Sequence, residues 1–295
     1  MRTTLGTGTD NARPRTLDRT DLHSNECGTD AAYCRYPTER TSVPHHSTQQ
    51  RLTDLLSEPA TTADGFLDTL GDAAQAGPPT GLTQRLMRTT LLPQVYERYW
   101  RPVLGRVLKG PSGPSMAVEV VLASEQLALQ PGQVVLDVAC GTGRFTRAFG
   151  DAVGPDGLVI GLDGARSMLS RAVEETDSPA VAYLRADAVE PPLLSSTVDA
   201  VCCFAALHMF AEPERALDSF ARVLRPGGRI VLLTSARRDC QLARIADTAG
   251  GIVSGQRMFD RGEIASSLRA RGFDEVREQY FGVAQLVSGR LSDVR

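Results

Sequence analysis

From Val134 onward the chain alternates between short aliphatic runs and longer segments whose apolar residues recur every three or four positions. The short runs read as buried strands and the longer segments as amphipathic helices. Strand Val134–Val138 leads to helix Arg144–Ala152, and strand Leu158–Asp163 leads to helix Ala165–Glu175. Strand Ala182–Ala186 is followed by the loop DAVEPPLLSST. Strand Val198–Ala205 leads to helix Pro213–Leu224, which RPGG closes ahead of strand Arg229–Thr234. Helices near Leu242–Ala249 and Arg261–Arg271 come next, the second with a capping box of Asp260 as N-cap and Glu263 three residues later. Two final strands are expected at Glu275–Tyr280 and Val283–Ser288. Repeated strand–helix units predict an α/β fold, a Rossmann-like, mostly parallel sheet with helices on both faces. The link YFGVAQL leaves no room for a crossover helix, so the last two strands are antiparallel.

The pattern is weaker upstream. Residues 1–48 are dense in Thr, Arg, Asp and Ser, too polar to offset their ordering entropy, and read as a disordered tail. Residues 49–115 read as an N-terminal helical segment covering the site. It holds one or two short helices in Arg51–Gly77, the breaker GPPTG, and the aromatic-rich LTQRLMRTTLLPQVYERYWRPVLGRVL. The α/β domain is then 116–295, opening on a helix that carries Val118, Val121, Leu122, Leu127 and Leu129 near helical spacing.

Composition narrows the function classes. Hydrophobic residues at 42% and charged residues at 23% are a soluble globular balance. A net charge of −3 without a basic face disfavours nucleic acid as a partner. No apolar run approaches the roughly 18 residues that span a bilayer, so no membrane insertion is expected. The N-terminus lacks an apolar h-region and carries Asp10, Asp18 and Asp21, which argues against a signal or transit peptide. The six cysteines form no regular framework, as expected of reduced thiols in a cytoplasmic protein. Neighbouring Cys202 and Cys203 would face opposite sides of a strand. Cys27, Cys34, His45 and His46 lack the close ligand pairs of structural zinc sites, so no metal is expected.

The candidate chemistry lies in VVLDVACGTGRFTRAFG. Asp137 lies near the end of its strand, and Ala139, Gly141 and Gly143 keep the following turn small enough for close backbone approach. The free N–H groups of helix Arg144–Ala152 point toward a ligand there. Asp163 and Asp187 end the next two strands, suited to ribose hydroxyls and an adenine edge. Each acid alone is as readily a helix cap or a loop tie; three in order point to adenosine binding. Thr146 stands where a nicotinamide dinucleotide site needs its third glycine, and no G-K-[ST] marks a P-loop.

At these residues the chain resembles a known family. VLDVACGTG, GLDGARSMLSRA, RADAVEPPLLSSTVDAVCCFAALHMF and RALDSFARVLRPGGRIVLLT are similar to successive motifs of class I S-adenosylmethionine-dependent methyltransferases. They sit nearest the subgroup that includes quinone-biosynthesis C-methyltransferases, over roughly Arg85 to Arg290. The resemblance implies a seven-stranded sheet with one antiparallel strand, and S-adenosylmethionine as cofactor. It implies that Asp137, Ala139, Cys140, Gly141 and Gly143 line the methionine and ribose side and that Asp163 holds the ribose hydroxyls. Gly164 and Met168 would lie beside the adenine, Asp187 and Ala188 would face it, and Phe204 and Ala205 would lie near the methyl donor. Ala139 departs from the family's usual glycine.

His208, after the fourth strand, is the candidate general base; the alternative is that it fixes its loop. Tyr96 and Tyr99 either close over the cofactor or form an aromatic core face, and Arg98 and Arg101 either contact an acid or are solvated. SGQRMFDRGE reads as a lid hinged at Gly255, with Met258 and Phe259 as apolar contacts. Such a lid suits a small, partly apolar methyl acceptor: a quinone, polyketide, lipid or other secondary metabolite. An RNA or protein methyltransferase, or a non-catalytic cofactor-binding protein, is the alternative.

Overall fold

A computed structural model describes residues 47–71, 114–240 and 256–293. The chain divides into two units at Pro44 and His45; the first lies outside the described residues, and every described element belongs to the second. The expected disordered tail, Tyr96, Tyr99, Arg98, Arg101, the helix near Leu242–Ala249 and the hinge Gly255 also lie outside the described residues, apart from Ser47 and Thr48 at the end of the tail.

The first described elements are one short helix and a hairpin that the sequence reading did not include. Among residues 47–71, α1, Thr48–Thr53, is helical, and β1, Thr61–Ala63, and β2, Phe66–Asp68, form the hairpin. Its turn is Asp64-Gly65, both at positive φ (49° and 84°), the Asp-Gly pair that two-residue hairpins favour. Next come α2, Met116–Leu127; β3, Val134–Val138; α3, Arg144–Val153; β4, Leu158–Asp163; and α4, Arg166–Glu174. They are followed by β5, Val181–Arg185; β6, Val198–Phe204; a 3₁₀ turn, Leu207–Met209; and α5, Pro213–Val223. The last are β7, Leu224–Ser235; α6, Glu263–Ala270; β8, Phe273–Phe281; and β9, Ala284–Leu291.

These strands form one sheet in the order β1-β2-β5-β4-β3-β6-β7-β9-β8. It has nine strands rather than seven, because the N-terminal hairpin adds β2 parallel to β5. The final pair is antiparallel as expected, but β9 is not at the sheet's edge: it inserts between β7 and β8. β7 starts five residues early. RPGG lies inside it as an irregularity opposite Val198 and Ala200, with Gly227 at φ 79°.

Both sheet faces are covered, as parallel strands require. One face packs Ala123 and Leu127 of α2 and Phe145, Phe149 and Val153 of α3 on Val135, Val159, Cys202 and Leu233. The other packs α5 and α6 on Leu136, Ile160, Val201, Cys203 and Leu232. Cys202 and Cys203 therefore enter opposite core layers as free thiols. The link from β5 to β6 contains no helix, and α1 packs on β4 and β5 of the same face with Leu52 fully buried. A leucine so placed contributes about 2 kcal/mol. The buried stripe of α2 is Glu119, Ala123 and Leu127; Val118 and Val121, noted for their helical spacing, are 46% and 54% exposed. The expected capping box of α6 is half formed. Glu263 accepts the Asp260 N–H, but Gly262 is the N-cap and the Asp260 carboxylate pairs with Arg237.

Candidate cofactor and active site

In such a sheet the strand order reverses between β3 and β6, and ligands bind beyond the carboxyl ends at that point. The turn after β3 passes through the left-handed region three times, at Ala139 (φ 55°), Gly141 (58°) and Gly143 (77°). Alanine there stores on the order of 1 kcal/mol of strain that glycine would not. Gly143 is the N-cap of α3, and no side chain caps that end.

Asp137 is 2% exposed and accepts the Thr146 hydroxyl at 2.6 Å. Thr146 also explains why no third glycine is needed. A Cβ on Gly161 of β4 would meet Thr146 Cγ2 at 3.0 Å and the Tyr183 ring at 2.6 Å, so the small residue sits on the strand instead of the helix. Cys140, between the carboxylates, has its thiol pushed well up by burial and by Asp163 and Asp137. It stays protonated and unreactive.

Asp163 joins two loops. One oxygen accepts Gly141 N–H at 2.9 Å and the other accepts Ala165 N–H at 2.8 Å, linking the glycine turn to the entry of α4. Gly164 is exposed and Met168 is buried. Asp187 is exposed and accepts Val189 N–H, so it also ties its own loop; Ala188 is half-buried. Phe204 ends β6 with its ring 4.6 Å from that of Phe145, in the layer beneath α3, and Ala205 follows at φ 55°.

His208 lies in the 3₁₀ turn, with Nδ1 3.4 Å from Thr234 Oγ1. Burial lowers its pKa to about 4. A base this weak has little drive to take a proton at neutral pH. The shift has a stability consequence. The unfolded histidine takes up a proton near its ordinary 6.5 while the folded one stays neutral, so stability falls as pH drops from 6.5 toward 4. The loss approaches about 3 kcal/mol. Urea melts at pH 7 and pH 4.5 should show it, and His208→Asn should remove most of the difference.

The lid reading needs correction at Phe259. Its side chain is fully buried in the core, while Met258 is half-buried. The sequence reading also missed a buried pair, Asp68 on β2 and Arg185 on β5, joined at 2.9 Å. Burial pushes the Asp68 carboxyl up, but Arg185 and the Gly71 and Leu70 amides outweigh it and hold it below its usual value. Among the described residues no cluster of His, Cys, Asp or Glu could hold a metal, and no helix is long and apolar enough to cross a membrane.

Residues 136–232 match the family described as a methyltransferase domain. An uncharacterized chloroplastic methyltransferase of Arabidopsis thaliana is 37% identical over 165 residues, 53% of this chain and 44% of that protein. The ubiquinone/menaquinone biosynthesis C-methyltransferase of Ectopseudomonas mendocina is 36% identical over 129 residues, 42% of this chain and 50% of that one. The matches thus span about half the length of these relatives. A Haemonchus contortus phosphoethanolamine N-methyltransferase, solved with S-adenosylhomocysteine, shares the fold at a TM-score of 0.55 and 13% identity, over 70% of this chain and 60% of that one. Residues 136–232 thus carry the pattern of a methyltransferase domain, and the described residues have the fold of the methyltransferases to which they are similar.

Proposed function

We propose that the chain transfers the methyl group of S-adenosylmethionine to a small, partly apolar acceptor, such as a quinone, polyketide, lipid or other secondary metabolite. The observation that carries this reading is the Asp163 bridge, which fixes the glycine turn and the adjacent acid as one unit at the switch point.

The residues present fit the cofactor. The turn offers the carboxylates of Asp137 and Asp163 and a helix end that no side chain caps. Such a set suits hydroxyls and a cationic amino-acid moiety better than a pyrophosphate. Asp163 would hold the ribose, Asp187 and Ala188 the adenine edge, and Asp137, Ala139, Cys140, Gly141 and Gly143 the methionine side. The bound cofactor supplies an electrophilic methyl on a sulfonium sulfur. The protein's part is to orient the acceptor in line and exclude water, and positioning alone contributes up to about 7–11 kcal/mol in well-oriented cases.

The depressed pKa of His208 supports an acceptor that is already nucleophilic, such as an electron-rich ring carbon, over one that must be deprotonated by this histidine. Quinone precursors have that character, and the Ectopseudomonas relative is named for such chemistry. A cytoplasmic location belongs to this proposal. The test is transfer of labelled methyl into a cell extract by the full-length chain. Label in a solvent-extractable small molecule is the expected result; label only in RNA or protein, or none despite cofactor binding, sinks it.

A further inference from the structure

The family match begins at residue 136, yet the adenosine side of the site is braced from residue 68. β2 lies parallel to β5 with Asp68 opposite Arg185, so their side chains share a face. Asp68 is 3% and Arg185 2% exposed. A guanidinium carries its donors in a rigid fork, so fixing one nitrogen orients the others. Arg185 donates from Nη1 to Asp68 (2.9 Å) and to the Gly71 carbonyl (2.9 Å), and from Nε to the Gly164 carbonyl (3.2 Å). Asp68 is itself held, one oxygen accepting Leu70 and Gly71 N–H and the other also pairing with Arg166.

Gly164 is the residue between Asp163 and Ala165, whose N–H bonds the Asp163 carboxylate. Arg185 therefore grips the middle of the turn that aims Asp163. Hairpin docking alone does not call for this arrangement. Phe66 and Leu67 already bury apolar surface, and a buried ion pair is often replaceable by apolar residues at no loss of stability. What the pair adds is direction, since the fork ends on backbone carbonyls of two different loops.

We propose that the N-terminal hairpin is a working part of the cofactor site and that Asp68 is a positioning residue, orienting Arg185 so that the Gly164 turn presents Asp163 to the ribose. The inference rests on the cofactor reading of Asp163. It is tested on the full-length chain by calorimetry with S-adenosylhomocysteine. Asp68→Asn keeps shape and an acceptor oxygen but loses the charge. Arg185→Lys keeps the charge, but one ammonium cannot serve both Asp68 and Gly164. Each should weaken binding by about tenfold or more.

A merely structural role is separated in two ways. Leu268→Ala, in the α6 core, should lower the melting temperature without changing affinity. Adding Asp68→Asn to Asp163→Ala should cost no further affinity, because the effect passes through Asp163. Unchanged affinity in both hairpin-pair variants, or losses that add in the double variant, overturns the proposal. If the unaltered chain fails to bind S-adenosylhomocysteine, the cofactor reading itself falls; if it binds and the variants match it, only the positioning role falls.

Discussion

Replacing Asp163 with alanine is expected to weaken S-adenosylhomocysteine binding by about 100-fold or more. A charged hydrogen bond to a hydroxyl is worth about 1.5–3 kcal/mol, and the ribose offers two. Each 1.4 kcal/mol is tenfold in affinity, so loss of both exceeds 100-fold. The variant also releases the Gly141 and Ala165 N–H groups, which the carboxylate holds at 2.9 and 2.8 Å. The turn then loses its link to α4, which adds to the penalty on binding. Asp163→Asn should recover little. Only one of its two side-chain positions still accepts, while the other presents a donor to a backbone donor. Calorimetry on the three proteins checks this; an Asp163→Ala protein binding within threefold of the unaltered chain would show that the acid serves its loop alone.

Gly143→Ala is expected to destabilise the fold by about 3–4 kcal/mol, among the larger single-residue effects. Two costs combine. Gly143 sits at φ 77°, where a side chain costs about 1–2 kcal/mol. Its Cβ would also lie 2.2 Å from the Tyr183 hydroxyl and 3.2 Å from Ala172 Cβ. Tyr183 cannot swing away. Its hydroxyl bonds Thr176 at 2.8 Å, and its ring fills the space left by Gly161. Displacing a packed ring costs about 1–3 kcal/mol. Gly272→Ala isolates the first cost, since φ is 84° there and nothing lies within 4 Å. Denaturant melts should show it costing about 1 kcal/mol, well below Gly143→Ala. Tyr183→Phe added to Gly143→Ala should recover part of the difference by removing the closest atom. Equal losses at Gly143 and Gly272 would mean the tyrosine yields freely.

Tyr183 also shows why some of the site could be read in advance and some could not. The turn from Asp137 to Gly143 is a local run, and the left-handed positions fall on small residues that the sequence displays directly. The replacement of the third glycine by Thr146 was equally visible, and it argued against a dinucleotide. Its compensation was not, because Gly161 lies on another strand and meets Thr146 only when α3 packs on β4. His208 was visible as a polar residue after β6, but its weak basicity follows from burial that no residue pattern records. Phe259 looked like a lid contact from its neighbours, and the core claimed it.

The hairpin is an intermediate case. Asp64-Gly65 between Ala63 and Phe66 is a strong local hairpin signal and was legible in principle. Where the hairpin docks was not, since Asp68 and Arg185 are 117 positions apart. By itself the sequence determined the alternation of parallel strands and helices, the antiparallel close and the acids at three strand ends, because each depends on periodicity or spacing within a few residues. Only the tertiary structure decided that the sheet has nine strands, that β9 inserts before β8, and that a buried ion pair from the N-terminal hairpin braces the turn bearing Asp163. Those features arise from contacts between distant segments, whose energies appear only once the chain has closed on itself.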